Sequence, residues 1–269
     1  LKVKVSNKKM LSYKKMGTGP AIVLIHGFPN DGTSWKNILP LLSKNYTYIL
    51  PDLPGAGASA YIPNLSLEKM AAAVKGILDV EKIDAAIWVG HSMGGYTSME
   101  AAIHFPEKIK AISLVHSLAS ADSEEKLDTR KKSIKLLQNG DTGKVVFLKA
   151  MAENLFDPSF LATNPDAAVL IVANGMRLST DSLTAFYTAI MNRSDKVEWL
   201  KANHSIPLQW IIGSADNATP MKDAMKQCYL SAVNDVHCYQ NVGHMSMMEC
   251  PEQLAADLNN FFDFVWQNK

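Results

Sequence analysis

The sequence predicts an α/β fold, a mostly parallel sheet flanked by helices and broken by an all-helical insertion. Three observations predict it. A continuous apolar run of strand length opens at residues 21–26, and further apolar-rich strand segments recur at 46–50, 85–89, 109–115 and 207–212, with helical patterns between them. A run with no in–out alternation suits a strand buried on both faces, as parallel strands are. The rhythm stops between Leu118 and His204, where helical segments follow one another without a clear strand. The length of 269 residues accommodates one large α/β domain carrying such an insert.

The elements follow in order. Residues 2–5 and 10–15 alternate apolar and polar up to Gly17-Thr18-Gly19-Pro20, which predicts an N-terminal hairpin. The strand over 21–26 leads into Gly27-Phe28-Pro29 and a helix over 34–42. The strand over 46–50 is stopped by Pro51-Asp52-Leu53-Pro54-Gly55. Ser66 caps a helix reaching Val80. The strand over 85–89 is followed by a helix over 93–105 and the strand over 109–115. In the insert, Asp122 with Glu125 three residues on has the form of a capping box, and Asn139-Gly140 ends that helix. Residues 143–155, 165–178 and 181–191 read as three further helices. After the strand over 207–212, Thr219-Pro220 opens a helix, residues 236–240 form the last strand, and 251–266 form a closing helix apolar at Leu254, Leu258, Phe261, Phe262 and Val265. The expected organisation is a core of residues 1–117 and 205–269 and a helical cap of 118–204.

Composition narrows the function. The formal net charge of +1 provides no basic field for nucleic acid, and no apolar run is long enough to span a bilayer. The three cysteines, Cys228, Cys238 and Cys250, form no CxxC pair and suit reduced thiols in a cytoplasmic protein. The first residues lack the apolar core of a signal peptide.

The chemistry centres on Gly90-His91-Ser92-Met93-Gly94-Gly95, a G-x-S-x-G pattern lying between a buried strand and a helix. Glycines flank Ser92 because a Cβ at Gly90 or Gly94 would collide across so tight a turn. The serine hydroxyl then projects above the sheet edge, with the Met93 amide beside it at a helix N-terminus. Serine needs a base. His244, in Val242-Gly243-His244-Met245, follows the last strand at its carboxyl end, where sites in open α/β sheets form. Asp216, just past the strand over 207–212, is the carboxylate placed to orient it. Asp52 and Asp122 are explained by a turn and a cap.

The order Ser92, Asp216, His244, together with His26-Gly27-Phe28-Pro29 and Asp52-Leu53-Pro54-Gly55-Ala56-Gly57-Ala58-Ser59, resembles the α/β-hydrolase superfamily in its lidded, esterase-like branch. The resemblance implies the α/β-hydrolase fold with residues 118–204 as the cap. It also implies a backbone oxyanion hole from Phe28 and Met93, and a structural turn at Asp52. It implies a serine esterase acting through Ser92, His244 and Asp216 on a small to medium apolar acyl substrate, with no cofactor and no metal. His26 is expected to stabilise its turn and border the pocket. Phe156, Met151, Phe186, Met191 and Met245 are candidates to line it. Serine at the nucleophile position argues against dehalogenases and epoxide hydrolases, which use aspartate there. Acyltransferases, lactonases, carbon–carbon hydrolases, lyases, perhydrolases and a low-turnover receptor share these residues. The expected partner is a small molecule, not nucleic acid or membrane. Basic residues Lys126, Arg130, Lys131, Lys132 and Lys135 read as a solvated helix face.

Overall fold

A computed structural model describes residues 1–4 and 10–267. Among them, eight strands form one sheet in the order β1-β2-β4-β3-β5-β6-β7-β8. β1 (Lys2–Lys4) and β2 (Met10–Met16) make the expected hairpin, although Val5, assigned to it from sequence, lies outside the described residues. β2 is antiparallel to β4 (Thr47–Pro51). From there β4, β3 (Ala21–Ile25), β5 (Ala86–His91), β6 (Ile109–Val115), β7 (Leu208–Gly213) and β8 (Asn234–Tyr239) run parallel.

The apolar runs are continuous because both faces of the sheet are covered. Val23, Ile25, Trp88, Ile112, Leu114 and Trp210 point to one core, which contains α1 (Leu67–Val80) and α2 (Met93–His104). Ile22, Leu24, Ile87, Val89 and Ile211 point to the other, which contains the terminal helix over Pro251–Gln267. That helix buries Leu254, Ala255, Leu258, Phe261, Phe262 and Val265, a spacing that keeps one stripe on the sheet.

Between β6 and β7 the described chain forms six helices: α3 (Glu124–Leu137), α4 (Gly140–Glu153), α5 (Pro158–Thr163), α6 (Asp166–Arg177), α7 (Thr180–Met191) and α8 (Val197–Ala202). After β7 come the single-turn α9 (Met221–Ala224), then α10 (Ser246–Glu249) and the terminal helix, α11.

Local differences from the sequence reading have physical causes. The helix expected over 34–42 is two 3-10 turns, Gly32–Trp35 and Leu39–Leu41, because Pro40 lacks the N–H that a continuous helix requires. The cap of α3 is Ser123, whose hydroxyl accepts from the Lys126 amide. Asp122 is instead taken by two arginines. The short α5 and α8 leave no signal in the sequence because six residues are too few to display a helical period. The three cysteines are free, and no helix among the described residues is long and apolar enough to cross a membrane.

Candidate active site

The carboxyl ends of β3, β5, β6, β7 and β8 converge, with Ile25, Gly90 and Leu114 aligned across the first three. Each end delivers one polar residue or amide to the same rim: Phe28 after β3, Ser92 after β5, His116 after β6, Asp216 after β7 and His244 after β8.

Ser92 sits in the turn between β5 and α2 with φ 51° and ψ −113°. A non-glycine residue in this region is strained by about 1–3 kcal/mol and persists only where its surroundings enforce it. Here the Ser92 amide donates to the Val115 carbonyl at 2.9 Å, and the Ser92 carbonyl accepts from Ser117 Oγ at 3.0 Å. A Cβ on Gly90 would lie 2.3 Å from the Gly94 backbone, and one on Gly94 would lie 2.3 Å from the Ile25 carbonyl oxygen. The flanking glycines are therefore steric necessities. Met93 occupies the first turn of α2, so its amide has no intrahelical acceptor. Among the described residues, neither the Phe28 nor the Met93 amide donates to another protein group.

His244 is almost wholly buried, and its Nδ1 lies 2.8 Å from Asp216 Oδ2. A carboxylate only accepts, so Nδ1 carries the proton and Nε2 is left as the basic nitrogen. Asp216 is surrounded by donors. Its Oδ1 accepts from the Ala218 and Thr219 amides at 2.8 Å each, and its Oδ2 also accepts from Thr219 Oγ1 at 2.7 Å and His116 Nδ1 at 3.2 Å. Burial opposes its charge, but the imidazoles of His244 and His116 outweigh burial and hold the carboxyl well below the usual carboxylate range. The His244 loop is fixed from several sides. Its own amide donates to the Leu155 carbonyl at 2.7 Å, and its carbonyl accepts from His91 Nε2 at 2.9 Å. Burial, with the neighbouring imidazoles of His244 and His116, keeps His91 neutral.

Ser92 and His244 line one cavity of about 70 Å³, bordered by Phe28, Tyr96, Met151, Leu155, Tyr187, Ile190, Ala218, Thr219 and Arg130. Its wall is therefore not wholly apolar. Of the pocket residues expected from sequence, Met151 borders this cavity. Phe156 instead packs in the core that contains α11, stacked on Phe160. Phe186 packs edge-on to Phe28, outside the cavity. On α7 the residues that reach the cavity are Tyr187 and Ile190, three apart on one face, so Phe186 and Met191 fall to either side of it. Met245 lines a separate cleft with Asn30 and Asn174. His26 is fully buried. Its Nδ1 lies 3.0 Å from the Gly27 carbonyl and its Nε2 accepts from the Leu53 amide, so it ties two turns together and does not line the Ser92 cavity. Asp52 likewise holds the Gly32 and Ala58 amides.

Three residues near the site gave no sequence signal. His116, with φ 49°, is a second imidazole on Asp216. Glu249 accepts from the Gly243, Met245 and Asp157 amides and so clamps both sides of His244. Arg130 was read as solvated but borders the cavity, with Nε 2.7 Å from Asp122 Oδ2 and its guanidinium 5.0 Å from the Tyr187 ring centre. A five-residue basic run gives no cue to which member turns inward. The only His, Cys or carboxylate cluster of metal-binding size among the described residues is His116, Asp216 and His244, with ligand atoms within 4.8 Å of one another. Those atoms are already joined by the imidazole–carboxylate hydrogen bonds.

Among solved structures, a thermophilic esterase from Thermogutta terrifontis superposes with a TM-score of 0.91 at 24% identity, covering 98% of each chain. Among curated proteins, a pimeloyl-(acyl-carrier protein) methyl ester esterase from Photobacterium profundum is 37% identical over 107 residues, 40% of this chain and 41% of that protein. An uncharacterized protein from Mycobacterium tuberculosis is 35% identical over 105 residues, 39% of this chain. The chain spans 31% of the length of that mycobacterial relative. The alpha/beta hydrolase fold family matches residues 20–251. With that match and the sheet order above, the chain belongs to the alpha/beta hydrolase fold family.

Proposed function

We propose that the protein is a serine hydrolase that cleaves a small carboxylic ester through Ser92, His244 and Asp216. The observation that carries this reading is the pairing of His244 Nδ1 with the ionised Asp216, in a cavity that His244 shares with a strained Ser92. The carboxylate holds the imidazole in the tautomer whose Nε2 can take a proton and stabilises the imidazolium that results. Ser92 Oγ attacks the ester carbonyl as its proton passes to Nε2. The Phe28 and Met93 amides, which have no acceptor among the described residues, receive the oxyanion, and one such donor is worth roughly 3 kcal/mol. His244 then protonates the departing alcohol. Water, deprotonated by the same nitrogen, releases the acid from the acyl-serine.

The helices of residues 118–204 act as the cap in this reading, since Arg130, Met151, Leu155, Tyr187 and Ile190 come from them. A cavity near 70 Å³ favours a short acyl chain. Free cysteines suit a reducing, cytoplasmic setting. Transfer to another acceptor, lactone opening, carbon–carbon cleavage and perhydrolysis begin from the same constellation and are separated by substrate.

The test is fluorophosphonate labelling and short-chain ester turnover by the native chain and Ser92→Ala. Labelling and turnover in the native chain, both abolished in a folded Ser92→Ala, are expected. Equal turnover in the two proteins would remove Ser92 from the chemistry. A folded native chain that neither labels nor turns over would favour a receptor.

A further inference from the structure

We propose that Arg130 receives an anionic group, a carboxylate, on the ester that Ser92 attacks, so that the substrate is a half-ester of a small diacid or a close relative. This rests on the serine-hydrolase reading and specifies its substrate.

The argument is one of position and charge. Arg130 borders the same small cavity as Ser92 and His244. Asp122 lies between two guanidiniums, 2.7 Å from Arg130 Nε and 2.8 Å from Arg193 Nη2, so one carboxylate faces two cations. The two arginines are not equivalent. The Arg193 side chain is 4% exposed and sits over the Tyr96 ring at 4.4 Å, with its donors on Asp122 and on the Ser120 and Ile190 carbonyls. The Arg130 side chain is 19% exposed and is held by Asp122 through Nε, while Tyr187 lies against its guanidinium. Arg193 is committed to these partners, and Arg130 adds a cation at the cavity wall.

Lys126 increases the surplus. It is half-buried, and its Nζ donates to the carbonyl of Ala218, itself a cavity residue, at 3.1 Å. Asp223 also acts on the Lys126 charge, but its carboxylate is paired with Lys226 at 3.1 Å. Asp216, the partner of His244, already accepts from five donors. Arg130 is partly buried and shares its one carboxylate with Arg193, which leaves charge for a further anion to neutralise, and a planar guanidinium suits a carboxylate partner.

The experiment compares monomethyl succinate with methyl butyrate, which differ by a carboxylate for a methyl group, followed by pH-stat titration. The native chain should prefer monomethyl succinate in kcat/KM by about 10- to 100-fold, the worth of one charge-assisted contact. Arg130→Met should abolish the preference chiefly through KM, and Arg130→Lys should keep part of it. Succinate should inhibit methyl butyrate hydrolysis by the native chain more strongly than succinamide, a readout that stands even if the variants fail to fold. Turnover of both esters without an anionic preference, or an unchanged preference in folded Arg130→Met, would overturn this proposal alone. Neither turnover nor fluorophosphonate labelling would overturn the serine-hydrolase reading, and this proposal with it.

Discussion

Asp216→Asn is the most informative single change. The substitution keeps the shape of the side chain but replaces one accepting oxygen with a donating nitrogen. The Ala218 and Thr219 amides, 2.8 Å from Oδ1, are fixed donors and will keep the remaining oxygen. The new NH₂ then faces Thr219 Oγ1, His116 and His244, which occupy the Oδ2 side. The hydroxyl can rotate and the imidazoles can change tautomer, so the fold survives. For His244 the change places a lone pair on Nδ1 and the proton on Nε2, the nitrogen required to be basic. Turnover should fall roughly ten-thousand-fold, about 5 kcal/mol of barrier. Stability at pH 7 should fall by about 1–3 kcal/mol, because charged acceptors bind donors more strongly than neutral ones. The pH dependence has a definite sign. The folded carboxyl sits below its ordinary value, so its stabilisation is complete above the unfolded value near 3.9 and is lost as pH falls through the folded value. The stability gap between native chain and variant should therefore narrow below about pH 4. Ester kinetics at pH 7 and urea unfolding at pH 7, 4 and 3 measure both effects. A variant within tenfold of native turnover, or a gap that widens in acid, would refute the reasoning.

Ser92→Gly should be more stable than Ser92→Ala by about 1 kcal/mol, because relief of the strain at φ 51° exceeds the chain entropy lost by glycine. Differential scanning calorimetry of the two inactive variants reads this directly, and equal midpoints would mean the elbow stores no strain. Glu249→Ala should lower stability by about 2–4 kcal/mol, since the Gly243, Met245 and Asp157 amides lose a charged acceptor. It should also lower kcat by about tenfold through a loosened His244 loop. Glu249→Gln, with one accepting oxygen left, should fall between. Native kinetics in folded Glu249→Ala would show that the loop is held without it.

Much of this molecule is legible in its sequence because local patterns were enough. The apolar runs at 21–25, 86–89 and 208–212 report strands covered on both faces, since solvent on either side would have required alternation. Gly90 and Gly94 report the elbow because no other residue fits there. His244 and Asp216 could be chosen because residues after parallel strands share one edge of the sheet. What tertiary structure alone decided are matters of direction and partnership. Tyr187 and Ile190 reach the cavity while Phe186 and Met191 do not, since the roll of α7 is set by its neighbours. Asp122 is an ion-pair partner although its sequence resembles a cap, because Arg193, 71 residues away, arrives beside it. Arg130 borders the Ser92 cavity while its basic neighbours along α3 do not. Burial, hydrogen-bond partners and surplus charge belong to the packed chain, where long-range contacts outweigh the preferences of any short segment.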